Sequence, residues 1–294
     1  MIGPPALPPK HTWHPLLKLA LAEDLGPGDV TTPLVVEEGR AGEAIIEARE
    51  PLVVCGLGVA AEVFRELDPE LAFRALAGDG ARAQAGEPLA RVAGPLRAIL
   101  AGERTALNFL SRMCGVASWT RRFVEAVDGT GARIVDTRKT LPGWRCLDKY
   151  AVAVGGGLNH RTGLYDGILL KDNHLALAGG VAPAVKSARS IAPAHLPIQV
   201  EVESEDQAIA AVEAGADFLL LDNRSPAEMR RICARLAGRA LLEASGGVVL
   251  ENVRTIAESG VKRISIGALT HSAPSMDVAL EIDCGGTTPG GVPA

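Results

Sequence analysis

From residue 132 onward, short apolar runs alternate with helical segments, and the runs end in polar or small residues. The six runs read RIVDTRK, GILLKDNH, IQVEVES, FLLLDN, LLEASGG and RISIGALTH. Apolar runs without alternation are typical of strands buried on both faces, and strand–helix alternation predicts a parallel sheet. Barrel enzymes gather their chemistry at the C-terminal ends of such strands, so the pattern favours a barrel or partial barrel. A doubly wound open sheet is the alternative.

The segments between these runs have the spacing of helices. They are Tyr150–Val154, Ala178–Ile191, Glu205–Ala214, Pro226–Leu236 and Leu250–Glu258.

The chain up to about Leu107 has a mixed pattern, with Gly- and Pro-rich turns such as GDGARAQAGEP. Its predicted helices and strands are Pro15–Leu25, Leu57–Leu67, Gly42–Glu50, Leu71–Ala77 and Pro88–Ala93. This pattern predicts a small α/β domain. A long helical stretch, Leu96–Val127, joins it to the rest.

Charge and composition exclude several classes of function. The 294 residues carry a formal net charge of −5, whereas general nucleic-acid binding needs a basic footprint, and only 3% are aromatic. No uncharged apolar run reaches the length of a membrane span. The five cysteines are scattered, which indicates reduced thiols in a cytoplasmic protein. The start MIGPPALPPKH predicts a loose leader without a signal peptide, and CGGTTPGGVPA predicts a frayed tail.

Cationic side chains follow the first two barrel strands and the segment between them. They are Arg138, Lys139, Arg145, Lys149, His160, Arg161 and Lys171. Because strand ends converge in a barrel, we expect these residues to share one mouth. Such a cluster predicts an anionic ligand, and arginine suits a planar carboxylate because guanidinium binds both oxygens. The alternative is pairing with nearby acids, namely Asp136, Asp148, Asp166 and Asp172.

The middle strands end in acids. Glu201 and Glu203 lie on one face of their strand, and Asp222 ends the next. Carboxylates that face a phosphate suit Mg²⁺; alternatively, they only neutralise the basic cluster. Since no Ser-His-Asp order and no partnered cysteine nucleophile is evident, the sequence predicts an electrostatic site.

The last two strands end in small residues. They are Ser245, Gly246, Gly247 and Gly267. Backbone N–H groups of such loops can approach a phosphate, and the loops after the last two strands of a barrel are a common phosphate site.

These residues fall in motifs that together resemble the quinolinate phosphoribosyltransferase family, also called carboxylating nicotinate-nucleotide pyrophosphorylases. The motifs are EDLGPGDVT, ERTALNFL, DTRKTLPGWR, LDKYAVAVGGGLNHR, KDNH, EVE, LLDN, EASGG and ISIGALTHS. They cover most of the chain in the family's order. The resemblance implies a small N-terminal α/β sandwich domain plus an incomplete (β/α) barrel. We expect the sandwich domain at residues 1–107, with 273–294 packing back on it, and the catalytic barrel at 108–272.

The resemblance also implies the reaction. Quinolinate and phosphoribosyl pyrophosphate would give nicotinate mononucleotide, pyrophosphate and CO₂ with Mg²⁺, in a homodimer or higher oligomer that shares Arg104 across its interface. The implied quinolinate ligands are Arg104, Thr137, Arg138, Lys139, His160, Arg161 and Lys171. The implied phosphoribosyl pyrophosphate ligands are Glu201, Asp222, Ser245, Gly246, Gly247 and Gly267, with Glu201 and Asp222 also holding the metal. Lys139, Lys171, Glu201 and Asp222 are the implied catalytic residues.

Other functions stay open on the sequence alone. The nearest are a nicotinate phosphoribosyltransferase that does not decarboxylate and a related pyrophosphorylase with another substrate. A Schiff-base aldolase that uses Lys171 and a non-catalytic anion sensor belong to different classes.

Overall fold

A computed structural model describes residues 5–283. Its helices are α1 (His14–Leu25), α2 (Thr32–Val35), α3 (Leu57–Leu67), α4 (Leu96–Ala126), α5 (Arg145–Val154), α6 (Asp172–Leu177), α7 (Val181–Ile191), α8 (Glu205–Glu213), α9 (Pro226–Arg235), α10 (Leu250–Ala257) and α11 (Ala268–His271). Its strands are β1 (Ala41–Ala48), β2 (Leu52–Val53), β3 (Ala72–Ala75), β4 (Arg82–Ala83), β5 (Pro88–Pro95), β6 (Arg133–Val135), β7 (Ile168–Leu170), β8 (Ile198–Val202), β9 (Phe218–Asp222), β10 (Leu241–Ser245), β11 (Arg263–Ser265) and β12 (Val278–Asp283).

The chain packs as two compact units. Of the described residues, the first unit contains 5–119, 142–155 and 273–283, and the second contains 120–141 and 156–272. The predicted boundary at residue 107 falls within α4, a helix of 31 residues. The division into domains at 107 and 108 therefore stays a prediction.

The first unit is built on an antiparallel sheet in the order β12-β1-β5-β3. Along β1, Ala44, Ile46 and Ala48 alternate inward and are fully buried, as expected for a strand with one face on a core. β12 comes from the segment that we expect to pack back, and it pairs with β1 from Glu43 to Ala48.

The second unit contains a parallel sheet of six strands in the order β6-β11-β10-β9-β8-β7. Strands β7 to β11 are neighbours in chain order, and β6, the first of the six, pairs with β11, the last. A circular order of this kind is typical of a barrel and differs from a doubly wound sheet, in which the order reverses at a switch point. Because β6 and β7 are the two outer strands, the barrel is incomplete.

Short capped turns connect the strands of the second unit to its helices. At the start of α9, the Ser225 hydroxyl accepts from the Glu228 N–H at 3.3 Å, and the Glu228 carboxylate accepts from the Ser225 N–H at 2.9 Å. At the start of α8, the Ser204 hydroxyl accepts from the Gln207 N–H at 3.1 Å. Such caps satisfy backbone donors at the helix start and fix where each strand ends.

Several predicted boundaries are wrong. The predicted helix Ala178–Ile191 begins three residues too early, because Gly179 and Gly180 adopt φ values of 80° and 121° and α7 starts only at Val181. α5 starts at Arg145 rather than Tyr150. β2 and β4 pair with each other over two residues each, too short for an apolar pattern to indicate them.

The described part of the leader is anchored, so the expectation of a loose segment is wrong there. Lys10 pairs with Glu62, and the Trp13 indole N–H donates to the Pro8 carbonyl at 2.9 Å. Residues 1–4 and the predicted frayed tail from Cys284 onward lie outside the described residues. Between residues 5 and 283, no helix combines the length and apolarity that crossing a bilayer requires.

Candidate active site

A cavity of about 490 Å³ lies at the C-terminal ends of the barrel strands, within the second unit. Its size is typical of a small-molecule site. All of the predicted site residues except Arg104 line it: Thr137, Arg138, Lys139, His160, Arg161, Lys171, Glu201, Asp222, Ser245, Gly246, Gly247 and Gly267. Arg104 lies on α4 in the first unit and is exposed.

Two arginines form a cationic wall of the cavity. Burial lowers the pKa of the Arg161 guanidinium, and the charge of Arg138 lowers it further. Arg161 Nη1 donates to the Gly167 carbonyl at 3.1 Å. The Nε of Arg138 is buried without a hydrogen-bond partner among residues 5–283. Because an unpaired buried donor is unfavourable, this wall suits a ligand with acceptor oxygens.

His160 is fixed on this wall by hydrogen bonds on both ring nitrogens. Its Nδ1 accepts from the Arg161 backbone N–H at 2.7 Å, so the proton of a neutral ring lies on Nε2. Nε2 then donates to Gln199 Oε1 at 2.8 Å. The His160 backbone N–H donates to Asp136 Oδ1 at 2.8 Å, which ties the loop to the end of β6. The ring is therefore held in one orientation beside the cavity.

Glu243 is a site residue that the sequence reasoning missed. It lines the cavity, yet its side chain is 0% exposed. Its Oε2 lies 3.0 Å from Arg263 Nε, and its Oε1 lies 3.6 Å from His160 Nε2. Glu243 lies two residues before Ser245 on β10, so the period of a strand puts both on one face, and that signal could have identified it. Ser265 and His271 also line the cavity and were missed.

Two carboxylates come together on β8 and β9. Burial raises the pKa of the Glu201 carboxyl, and the charges of Asp222 and Asp172 also raise it, against the opposing effect of Lys171. Lys171 Nζ lies 3.7 Å from Glu201 Oε2, so Lys171 partly neutralises this acid. Carboxylate oxygens with mutual repulsion form a donor set that fits a hard divalent cation such as Mg²⁺.

The loop after β10 presents backbone rather than side chains. Gly246 and Gly247 have φ values of 89° and 59°, which disfavour other residues. A Cβ on Gly246 would lie 2.2 Å from Asn223 Oδ1. At the end of the next strand, a Cβ on Gly267 would lie 3.0 Å from Lys139 Cδ. The absence of a side chain at Gly246 and Gly267 thus makes room for Asn223 and Lys139, whereas a Cβ on Gly247 would meet nothing within 4 Å, so a ligand can approach the loop backbone there.

Not all of the predicted cationic cluster reaches this cavity. Arg145 and Lys149 lie on α5 in the first unit and do not line it, so the expectation of one shared mouth is wrong for them. They follow no barrel strand; they belong to a helix between β6 and β7. Asp148 on that helix pairs with Arg112 at 2.9 Å. Glu203 also lies outside the cavity.

Comparison with known proteins assigns the chain to a family. The quinolinate phosphoribosyl transferase N-terminal domain family matches residues 29–114, and the C-terminal domain family matches 116–281. A probable carboxylating nicotinate-nucleotide pyrophosphorylase of Bacillus subtilis is 41% identical over 91% of this chain and 92% of its own length. The carboxylating nicotinate-nucleotide pyrophosphorylase of Mycobacterium leprae is 44% identical over 90% and 95%.

A solved structure is similar over nearly its whole length. The nicotinate-nucleotide pyrophosphorylase of Francisella tularensis superposes with a TM-score of 0.90 at 36% identity, covering 94% of this chain and 97% of the other. The match in sequence and in fold therefore extends over both units, and the chain belongs to the quinolinate phosphoribosyltransferase family.

Proposed function

We propose that this chain is a carboxylating nicotinate-nucleotide pyrophosphorylase of NAD biosynthesis. It transfers the phosphoribosyl group of phosphoribosyl pyrophosphate to quinolinate and releases pyrophosphate and CO₂. The observation that carries this proposal is the sorting of charge around one cavity. Arg138, Lys139 and Arg161 lie on one part of its wall, whereas Glu201 and Asp222 lie on neighbouring strands.

Quinolinate has two adjacent carboxylates, and the cationic wall can bind both. Arg138 and Arg161 can each form a bidentate pair with a carboxylate. Since the charges of their guanidinium groups repel each other, binding of a dianion would offset this repulsion. Lys139, Lys171 and Thr137 contribute further donors beside the fixed His160 ring, and nicotinate, with one carboxylate, would leave part of this set unpaired.

The rest of the cavity lining suits phosphoribosyl pyrophosphate. Backbone N–H groups of the Ser245–Gly247 and Gly267 loops can approach phosphate oxygens, and the carboxylates of Glu201 and Asp222 can accept from ribose hydroxyls. Mg²⁺ is proposed as the cofactor, held by Glu201 and Asp222, where it would neutralise charge on the departing pyrophosphate. The two carboxylates near the sugar also stabilise the positive character that develops as its bond to pyrophosphate breaks.

Decarboxylation needs no organic cofactor. Once the pyridine nitrogen has bonded to the ribose, the ring carries a positive charge beside the carbon that holds the 2-carboxylate. The bond from that carbon to the carboxylate breaks, CO₂ leaves, and the electron pair stays on the ring carbon next to the charged nitrogen. A proton then completes nicotinate mononucleotide. Lys139 and Lys171 line the cavity and can stabilise the carbanion-like stage electrostatically.

We further propose that the enzyme is a cytoplasmic homodimer in which Arg104 of one subunit serves the barrel of its partner. The guanidinium of Arg104 is exposed on α4; burial raises the pKa of the adjacent Glu103 carboxyl, and the charge of Arg104 opposes that shift. A symmetric dimer makes the same contact twice, so one arginine can complete both sites. The cysteines at 55, 114, 146 and 233 are free, which supports a reducing compartment.

The direct test is turnover. The protein is incubated with quinolinate carrying a labelled 2-carboxylate, phosphoribosyl pyrophosphate and Mg²⁺, and labelled CO₂ and nicotinate mononucleotide are measured. We expect both products in equal amounts, and neither after removal of metal with EDTA. Nucleotide from nicotinate at a comparable rate would instead favour the enzyme that does not decarboxylate. Covalent trapping of a substrate on Lys171 by borohydride would favour an aldolase. Binding of the substrates without any turnover would favour an anion sensor.

A further inference from the structure

Asn223 follows Asp222 at the C-terminal end of β9 and has an unusual backbone. Its φ is 52°, and it is the only residue other than glycine with a positive φ within the described part of the chain. Asparagine tolerates this left-handed region better than most residues, but it adopts it rarely. Such conformations persist only where the surrounding contacts hold them, and they are common at functional sites.

The contacts of Asn223 join two parts of the cavity. Its side-chain Nδ2 donates to Asp222 Oδ2 at 2.7 Å, and its backbone N–H donates to the Ser245 carbonyl at 2.9 Å. Because a carboxylate only accepts, the amide nitrogen must face Asp222. The amide oxygen then faces Gly246, where a Cβ would lie 2.2 Å from it.

We propose that Asn223 is a positioning residue that sets the spacing between the Asp222 carboxylate and the Ser245–Gly247 loop. Phosphoribosyl pyrophosphate with its divalent cation must meet the carboxylate and the loop at the same time, and Asn223 contacts both. The left-handed backbone turns the amide back toward Asp222, and the absence of a side chain at Gly246 makes room for it. This inference rests on the proposed role of Asp222.

The residue type fits this role better than its substitutes. Glycine would keep the backbone conformation but would leave one Asp222 oxygen without its donor. Aspartate tolerates the same φ, but it would place a second carboxylate against Asp222. Asn223→Gly therefore removes the hydrogen bond to Asp222 while the backbone conformation at residue 223 is kept. Asn223→Asp replaces that hydrogen bond with repulsion between two carboxylates.

The test uses the full chain and three readouts besides turnover. Calorimetry measures binding of quinolinate and of phosphoribosyl pyrophosphate, electron paramagnetic resonance measures binding of Mn²⁺ with phosphoribosyl pyrophosphate present, and thermal unfolding reports stability. For Asn223→Gly we expect binding of phosphoribosyl pyrophosphate and of Mn²⁺ to weaken about tenfold, as for loss of a hydrogen bond to a charged group. Quinolinate binding and the melting temperature should stay unchanged. Asn223→Asp should weaken Mn²⁺ and phosphoribosyl pyrophosphate binding at least as much.

Asp222→Asn and the double variant separate this inference from the proposed function. If Asn223 acts through Asp222, the double variant should bind phosphoribosyl pyrophosphate no more weakly than Asp222→Asn alone. Unchanged binding in Asn223→Gly, with weakened binding in Asp222→Asn, would overturn the inference and leave the proposed function standing. An equal loss of affinity for both substrates in Asn223→Gly, together with a lower melting temperature, would also overturn the inference, since Asn223 would then support only the fold. If Asp222→Asn binds both ligands normally, the proposed role of Asp222 fails, and the inference fails with it.

Discussion

At the scale of single residues, the site holds partly buried charges that lie close to neighbours of the same sign. Burial lowers the pKa of Arg161 and raises that of Glu201; the charge of Arg138 adds to the first shift, and the charge of Asp222 adds to the second, against the opposing charge of Lys171. Each arrangement becomes more favourable when a group of opposite charge arrives. The cavity is therefore built for ligands that carry both anionic groups and a cation.

Arg161→Lys should weaken quinolinate binding although the charge is kept. Lysine cannot form the bidentate pair, and its loss should reduce the binding free energy by about 1.5–3 kcal/mol. Isothermal titration with quinolinate measures the change, and phosphoribosyl pyrophosphate binding serves as the control. Unchanged affinity for quinolinate would mean that Arg161 is not a ligand of this substrate.

Asp222→Asn should spare quinolinate and weaken phosphoribosyl pyrophosphate only where metal is present. The amide keeps the size of the side chain but removes the charge that a divalent cation needs. Titrations with and without Mg²⁺ separate the metal-dependent part of the affinity, which should be large in the unmodified protein and small in the variant. An equal loss of affinity for quinolinate and for phosphoribosyl pyrophosphate would instead indicate that the site has collapsed.

The sequence predicts most of the cavity because its residues follow apolar runs. Thr137, Lys171 and Asp222 each come directly after or at the end of a run, so a strand assignment is enough to bring them to one mouth. Asn223 directly follows such a run and Glu243 shares a strand face with Ser245, but these positions do not reveal what either residue does. The role of Asn223 depends on its φ, and that of Glu243 on its burial between Arg263 and His160, which are properties of the folded chain.

At the scale of helices and strands, α4 packs closely against the segment that leads to β12. Gly115 on α4 allows this approach, because a Cβ there would lie only 2.0 Å from the Pro274 carbonyl oxygen. Ser111 on the same helix donates to the Met276 carbonyl, and the Met276 N–H donates back to the Ser111 carbonyl at 3.0 Å. One face of α4 thus fixes residues 274–276 by backbone contact.

Gly115→Ala should destabilise the protein. The added methyl group meets backbone, which cannot rotate away, so the helix and the 274–276 segment must separate, and overpacking of this kind costs about 1–3 kcal/mol. Denaturant unfolding followed by circular dichroism measures the loss. Gly78→Ala is the matched control, since a Cβ at Gly78 meets nothing within 4 Å, and its stability should change by less than about 0.5 kcal/mol. Equal stability of the two variants would contradict the close approach.

The sequence predicts the bounds of an element where its apolar pattern begins and ends. It does not predict a boundary that depends on a backbone conformation or on a strand partner far away in the sequence. The long helix from Leu96 ends within one residue of its predicted end, because its apolar pattern is continuous. α7 starts at Val181 and not at the predicted Ala178, because Gly179 and Gly180 have positive φ, and a helical pattern alone does not reveal that conformation. β12 was expected only to pack back, since its pairing with β1 depends on a partner far away in the sequence.

At the scale of the whole molecule, the proposed dimer makes a quantitative prediction. Arg104→Ala and Lys139→Ala homodimers should each be nearly inactive, and their mixture should regain activity once subunits exchange. In a mixed dimer, the barrel of the Arg104→Ala subunit keeps its own Lys139 and receives Arg104 from its partner. Random exchange makes about half of the dimers mixed, with one intact site each, so roughly a quarter of sites should work.

Mass spectrometry of isotope-labelled subunits confirms that exchange has taken place before activity is measured. A mixture that exchanges fully and stays inactive would mean that Arg104 serves its own chain or only the fold. A mixture of two Lys139→Ala preparations, labelled and unlabelled, gives the matched background.

The position of β12 beside β1 also affects the order in which the protein folds during synthesis. β1 leaves the ribosome early, but its outer neighbour is made only after the whole of the second unit, which ends at Ser272. The barrel can therefore fold while translation continues, whereas β1 stays an open sheet edge that other chains could join. The unit that is made first is therefore the one that is completed last, and its edge is covered once β12 has been made.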